Sequence, residues 1–291
     1  MSTPATSTQE RIEVGGGLVL VADRWRGDGP PVVLAHGGGQ TRHSWGTTAA
    51  RLAGEGHDVW SVDLRGHGDS AWAGDGDYTM GAYRDDALAV VEQVGQPVAW
   101  VGASLGGSTG MSAVAARPDD FWALVLVDIT PKPADAGVDR ILTFMAETSA
   151  AGFASLDEAA DAVAAYQPHR KRPKDTSGLA KNLRQGDDGR WRWHWDPAFV
   201  GGRRAVSSEA ERHDRLVEAA RTLRLPTLLV RGKLSDLVTD EQVALFRELV
   251  PHAEYVDVAG AAHMIAGDRN DVFGSAVETF LAEARPVPDA R

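Results

Sequence analysis

The sequence predicts an α/β protein with a mostly parallel central sheet, flanked by helices and interrupted by a helical insertion. Short apolar runs alternate with Ala-rich amphipathic stretches over the first 130 residues, which is typical of successive strand–helix units. The alternation stops after Pro131, where helical patterning takes over, and it returns at Thr227. The insertion therefore interrupts a single domain.

The predicted strands are short and apolar, as expected of a sheet that helices cover on both faces. In chain order they are Leu18–Asp23, Pro31–His36, Asp58–Asp63, Val98–Gly102, Ala123–Asp128, Thr227–Gly232 and Ala253–Val258. Amphipathic patterning predicts the main helices at Ser44–Gly54, Met80–Val94, Leu105–Ala116, Asp240–Val250 and Asn270–Ala284.

The insertion is predicted to be a helical cap of residues 131–215 on a main domain of residues 1–130 and 216–291. Helical patterning covers Val138–Ala150 and Leu156–Tyr166. An aromatic run with period 2 is expected to pack on one face against the main domain, and consists of Trp191, Trp193 and Trp195. A cap over a reactive site sets substrate shape, so its apolar side chains are candidate pocket residues, namely Phe144, Met145 and Phe153.

Composition excludes several classes of protein. The 291 residues are 43% hydrophobic and 24% charged, as in globular proteins, and the net charge of −11 argues against nonspecific binding to nucleic acid or anionic membrane. The absence of cysteine excludes disulfides and Cys-ligated metals. Met1–Glu10 reads as a polar tail without the pattern of a signal peptide, and no apolar run approaches the ~18 residues of a membrane span. We therefore expect a cytoplasmic protein with a small-molecule partner, and a homo-oligomer is left open.

The clearest chemical motif is Gly102-Ala103-Ser104-Leu105-Gly106, which fits G-x-S-x-G between a predicted strand and a predicted helix. A strand that turns directly into a helix needs glycine for close backbone approach, and it exposes the serine above the sheet. The helix N-terminus beneath it can stabilise negative charge. Ser104 is therefore predicted to be a nucleophile.

A serine hydroxyl needs a base and an acid that orients the base, and on such a fold they follow in the order Ser, Asp, His. His263 follows the strand that ends at Val258 and is the predicted base. Asp236 follows the strand Thr227–Gly232 and is the predicted acid, while Asp128, after the preceding strand, is an alternative.

The stretch His36-Gly37-Gly38-Gly39 directly follows a predicted strand, a place where this architecture supplies a backbone donor to an oxyanion. Glycine lets the backbone approach a tetrahedral oxygen without a side chain in the way. The predicted oxyanion donors are the N–H groups of Gly38 and Leu105.

With these motifs, the sequence resembles the α/β-hydrolase superfamily, and the stretches His36–Trp45 and Asp63–Ser70 are similar to its capped esterase, perhydrolase and epoxide-hydrolase-like branch. The resemblance covers about residues 10–130 and 225–284. Ser104 stands where epoxide hydrolases and haloalkane dehalogenases place an aspartate nucleophile, which argues against both activities. The resemblance implies an α/β-hydrolase fold and a serine hydrolase with no metal or organic cofactor.

The predicted activity is hydrolysis of small carboxylic esters through an acyl-serine intermediate. The same residues could let peroxide replace water on the acyl-enzyme, open a lactone or cleave a carbon–carbon bond next to a carbonyl. A non-catalytic ligand receptor on the same fold is a further alternative. Such a receptor would bind its ligand reversibly, whereas an enzyme would release product repeatedly.

Overall fold

A central sheet of eight strands organises the computed structural model, which describes residues 6–149, 151–166, 172, 174–201, 209–263 and 270–286. Its strands are β1 (Thr8–Glu13), β2 (Val19–Trp25), β3 (Gly29–Ala35), β4 (His57–Asp63), β5 (Val98–Ala103), β6 (Phe121–Val127), β9 (Thr227–Gly232) and β10 (Glu254–Val258). The two short strands β7 (Leu183–Gln185) and β8 (Trp191–Trp193) form a separate antiparallel pair.

The strand order is β1-β2-β4-β3-β5-β6-β9-β10. Only the β1–β2 and β2–β4 pairs are antiparallel, and the other five neighbouring pairs are parallel. The predicted mostly parallel sheet is therefore confirmed. Parallel order matters for function because it brings the carboxyl ends of β3, β5, β6, β9 and β10 to one edge of the sheet.

Nine α-helices are described, and those of the main domain cover the two faces of the sheet. They are α1 (Gly46–Gly54), α2 (Met80–Val94), α3 (Leu105–Ala116), α4 (Asp135–Ser149), α5 (Leu156–Tyr166), α6 (Ala198–Gly201), α7 (Glu209–Thr222), α8 (Asp240–Leu249) and α9 (Gly274–Ala284). The predicted bounds of α2, α3 and α5 are confirmed, and the predicted end of α4 at Ala150 lies outside the described residues. No helix in the described part of the chain is long and apolar enough to cross a membrane.

Alternate residues of the central strands enter two separate hydrophobic clusters. In β3, Val33 and Ala35 join the cluster that contains the α2 and α3 side chains, whereas Val32 and Leu34 join the cluster that contains α1 and α9. All four are fully buried. This explains why the central strands read as continuous apolar runs, since neither face of these strands meets water.

The N-terminal segment differs from the prediction. Part of the expected polar tail forms β1, whose residues pair with β2 from Thr8↔Arg24 to Glu13↔Val19. Ile12 is the one fully buried side chain of β1. An edge strand is held mainly by backbone pairing with its neighbour and tolerates polar side chains, so hydrophobic periodicity does not reveal it.

The insertion between β6 and β9 contacts the loop that follows β4 through backbone hydrogen bonds. Gly68 N–H donates to His194 O at 2.8 Å, and Asp196 N–H donates to Gly66 O at 2.8 Å. Inside the insertion the indole rings of Trp193 and Trp195 stack with centroids 5.3 Å apart. Helix α7 runs across residue 215, where the cap was predicted to end.

Candidate active site

Ser104 occupies the turn between β5 and α3, with a φ of 45°, a left-handed value that is uncommon outside glycine. A Cβ at Gly102 would lie 2.3 Å from the carbonyl carbon of Gly106, and a Cβ at Gly106 would lie 2.5 Å from Ala35 O. The two glycines therefore allow a turn that a larger residue would open. The turn directs Ser104 into a cavity at the carboxyl edge of the sheet.

His263 lines the same cavity and is paired with a buried carboxylate. Its Nδ1 lies 2.7 Å from Asp128 Oδ2, and both residues are almost fully buried. The Nδ1 side of the imidazole is therefore the side that faces the carboxylate. Among the described residues Ser104 and His263 make no direct hydrogen bond, a contact that in unliganded hydrolases is often long and shortens with substrate.

Asp128, and not Asp236, is the carboxylate that the structure places beside His263. Asp236 Oδ2 instead lies 2.7 Å from Arg140 Nη1, with its side chain 40% exposed. The cause is local: the Ser235 hydroxyl accepts hydrogen bonds from the amides of Leu237 and Val238, which turns Ser235 inward and leaves Asp236 facing the insertion. The prediction that Asp236 lies beside His263 is wrong, and the alternative, Asp128, lies there.

Backbone strain marks two residues at this edge of the sheet. In the described part of the chain, Ser104 and Asp128 are the only non-glycine residues with positive φ, at 45° and 50°. Such conformations cost about 1–3 kcal/mol each and persist where surrounding contacts hold them. Asp128 follows β6 directly, and its position at a strand end was the one sequence signal that could have selected it.

The two predicted oxyanion donors both lie at the cavity. Gly38 and Leu105 line it beside Ser104, and within the described residues neither backbone N–H has a hydrogen-bond acceptor. Two hydrogen bonds hold the loop after β3 that carries Gly38. Gly106 N–H donates to His36 O at 3.1 Å, and Gly37 N–H donates to Gln40 Oε1 at 2.9 Å. Loop and helix start are thus fixed relative to one another before any substrate binds.

His36 supports this loop as a neutral side chain. Its Nε2 accepts from Leu64 N–H at 3.0 Å, so the ring proton resides on Nδ1 and is donated to Gly37 O at 2.8 Å. Burial lowers the pKa of His36 to about 4, and the nearby positive charge of Arg42 acts in the same direction. The imidazole acts here as a structural link between β3 and the loop after β4.

The predicted pocket residues divide into two groups. Met145 lines the cavity, together with Val138, Ile141 and Leu142 of the same helix, α4. Phe144 instead packs against Tyr166, with centroids 4.6 Å apart, and Phe153 packs edge-on against Trp193 at 5.4 Å. Phe144 and Phe153 therefore belong to the aromatic core of the insertion, which corrects the prediction for both.

Sequence reasoning missed three aromatic side chains of the cavity wall, one of which is Phe199 of α6. The other two, Tyr78 and Tyr83, line the cavity from the main domain. The Tyr78 hydroxyl donates to Asp196 of the insertion, and burial with this hydrogen bond raises the pKa of Tyr78. Neither tyrosine stands in a motif. Among the described residues, no three His, Cys, Asp or Glu side chains are arranged to hold a metal ion.

The sequence model of the alpha/beta hydrolase fold matches residues 30–269. The chain belongs to this family. It is 32% identical over 266 residues to the esterase Rv0045c of Mycobacterium tuberculosis. The matched residues are 89% of this chain and 84% of that protein. The crystal structure of that esterase has a TM-score of 0.72 at 31% identity and covers 97% of this chain and 93% of the other.

A second solved structure agrees in fold. The crystal structure of E-2-(acetamidomethylene)succinate hydrolase has a TM-score of 0.81 at 24% identity and covers 95% of this chain and 99% of the other. The predicted α/β-hydrolase fold is confirmed, and the protein is a hydrolase of that fold.

Proposed function

We propose that this α/β hydrolase cleaves small carboxylic esters through an acyl-serine intermediate at Ser104. His263 acts as the base, Asp128 as the acid that orients it, and the N–H groups of Gly38 and Leu105 as the oxyanion hole. The main support is the 2.7 Å pair between His263 Nδ1 and Asp128 Oδ2 in a cavity that Ser104, Gly38 and Leu105 also line.

In the proposed reaction, Ser104 Oγ attacks the ester carbonyl carbon while its proton passes to His263 Nε2. The negative charge that develops on the carbonyl oxygen is met by the two backbone donors. The intermediate collapses with cleavage of the C–O bond, and His263 returns the proton to the departing alcohol. Water, deprotonated by His263, then releases the acid and restores Ser104.

We further propose that residues 131–215 form a cap that limits substrate size. In support, α4 supplies one apolar wall of the cavity and Phe199 of α6 supplies another part. The cavity has a volume of about 110 Å³. The wall that the insertion contributes is apolar, so we propose that it contacts the acyl group of the ester.

Replacement of the nucleophile tests the proposal. We expect Ser104→Ala to lower the rate of p-nitrophenyl butyrate hydrolysis by about 10⁴-fold or more, and a serine-directed phosphonate to add covalently to Ser104. Ser108 provides a matched comparison, because it is a second serine that lines the cavity. A phosphonate adduct on Ser108, or a Ser104→Ala variant that keeps a tenth of the activity, would refute the assignment.

The same experiments separate the enzyme from a receptor. An enzyme releases nitrophenol over many turnovers, with an initial burst where deacylation is the slow step, whereas a receptor binds the ester reversibly and releases no product. Parallel assays with lactones, with acetate plus peroxide, and with vinylogous diketones rank the other reactions of an acyl-serine site. Turnover of one of these classes far above that of the esters would displace ester hydrolysis as the main activity.

A further inference from the structure

The hydroxyl of Ser235 has no part in the reaction above, yet it lies 2.8 Å from Asp128 Oδ2. Ser235 Oγ is also 3.1 Å from the amide nitrogens of both Leu237 and Val238. A serine hydroxyl has one proton to donate and two lone pairs that accept. Since amides can only donate, they occupy the two lone pairs, and the hydroxyl proton is directed to Asp128.

The Asp128 carboxylate is therefore held through both of its oxygens. Oδ1 accepts from Gly232 N–H at 3.0 Å, and Oδ2 accepts from the Ser235 hydroxyl and from His263 Nδ1–H. Asp128 is only 2% exposed, so water has little access to replace a lost donor. Without the hydroxyl, Oδ2 would keep its bond to His263 itself, and among the described contacts only Gly232 N–H would still orient the carboxylate independently of the imidazole.

We propose that Ser235 is a positioning residue, whose hydroxyl fixes the rotation of the Asp128 carboxylate so that Oδ2 faces His263 Nδ1. This inference rests on the proposed function. The hydroxyl is itself oriented by two backbone amides at the start of the turn into α8, so the arrangement is set by the fold before substrate binds. Ser235 acts through Asp128 and His263 and touches no reacting atom.

The test compares Ser235→Ala with Ser235→Thr, which keeps the hydroxyl. We expect Ser235→Ala to lower kcat by about 10-fold with KM within about twofold, because the lost contact acts on the base and not on ester binding. Ser235→Thr should retain at least about half of the wild-type kcat. A Ser235→Ala kcat within twofold of wild type, or equal losses in both variants, would overturn the proposal.

Thr239→Ala controls for general loosening of the same loop. Thr239 caps α8 with Gln242, and the described hydrogen bonds of the Asp128 side chain do not include it. We expect this variant to lower the melting temperature and leave kcat within twofold. If Ser235→Ala does not fold, Ser235→Cys replaces it, since a thiol is a weak donor. Its kcat should then fall clearly below that of Ser235→Thr, and equality with wild type would contradict the proposal.

A proton NMR measurement separates this inference from the proposed function. The His263 Nδ1 proton, shared with Asp128, should give a strongly downfield resonance in the wild type. Ser235→Ala should shift or broaden this resonance, and Thr239→Ala should leave it in place. If wild-type protein hydrolyses no ester, the proposed function fails while the resonance still reports on Ser235. An unchanged resonance in Ser235→Ala refutes the positioning role.

Discussion

Asp236 and Arg140 form an ion pair between the loop after β9 and helix α4 of the insertion, with 2.7 Å between Asp236 Oδ2 and Arg140 Nη1. The preceding residue, Ser235, faces the opposite way toward Asp128. Two neighbouring residues of one loop thus contact two different parts of the molecule. Asp236 is paired with a helix that lines the cavity, and Ser235 donates a hydrogen bond to Asp128.

The two aspartates should therefore respond differently to the same substitution. We expect Asp128→Asn to lower kcat by about 10⁴-fold, the size of the effect when the orienting aspartate of a serine protease is so changed. Asp236→Asn should stay within about threefold of wild type. Initial rates on p-nitrophenyl butyrate measure both, and the opposite ranking would return the role of the acid to Asp236.

Met145 and Phe144 are adjacent in α4 but face different surroundings. We expect Met145→Ala to change the ratio of kcat/KM between acetate and hexanoate esters, since each methylene of fit is worth about 1–3 kcal/mol. Phe144→Ala should leave that ratio unchanged and lower the free energy of unfolding by about 3–5 kcal/mol. Ester panels and urea unfolding test the pair, and a shared effect on selectivity would place both side chains in the pocket.

Gly137 tests the contact between α4 and the loop after β9. A Cβ at this position would lie 2.6 Å from Asp236 O, a backbone atom that cannot rotate away. We expect Gly137→Ala to displace α4, lower the melting temperature and alter selectivity among acyl chains. Gly178→Ala is the control, because a Cβ there meets nothing within 4 Å. Equal behaviour of the two variants would show that α4 adjusts freely.

Acid should destabilise the fold through His36. Its pKa is about 4 in the folded protein against 6.5 for the free side chain, so between these values the unfolded state binds more protons. The free energy of unfolding should then fall as the pH is lowered from 6.5 to 4, by up to about 3 kcal/mol from this group. Urea unfolding across that range measures the slope. His36→Gln should reduce it, and an unchanged slope in this variant would exclude His36 as its source.

The sequence by itself determined seven of the eight strands of the central sheet in their chain order, the turn that carries Ser104, and the strand ends that precede His263 and Gly38. These features depend on short-range spacing: a strand, a glycine turn and a helix occupy consecutive residues, and a parallel sheet gathers its carboxyl ends at one edge. The polar edge strand β1 escaped this reasoning, because its place depends on pairing with β2 and not on its own periodicity.

Only the tertiary structure decided which aspartate faces His263 and which aromatic residues line the cavity. Asp128 and Asp236 both follow parallel strands, so their spacing does not separate them. The difference comes from the positive φ of Asp128 and from the hydrogen bonds that turn Ser235 inward. Likewise, consecutive residues of a helix point about 100° apart, so the angle at which α4 packs on the main domain assigns Met145 to the cavity and Phe144 to the aromatic core.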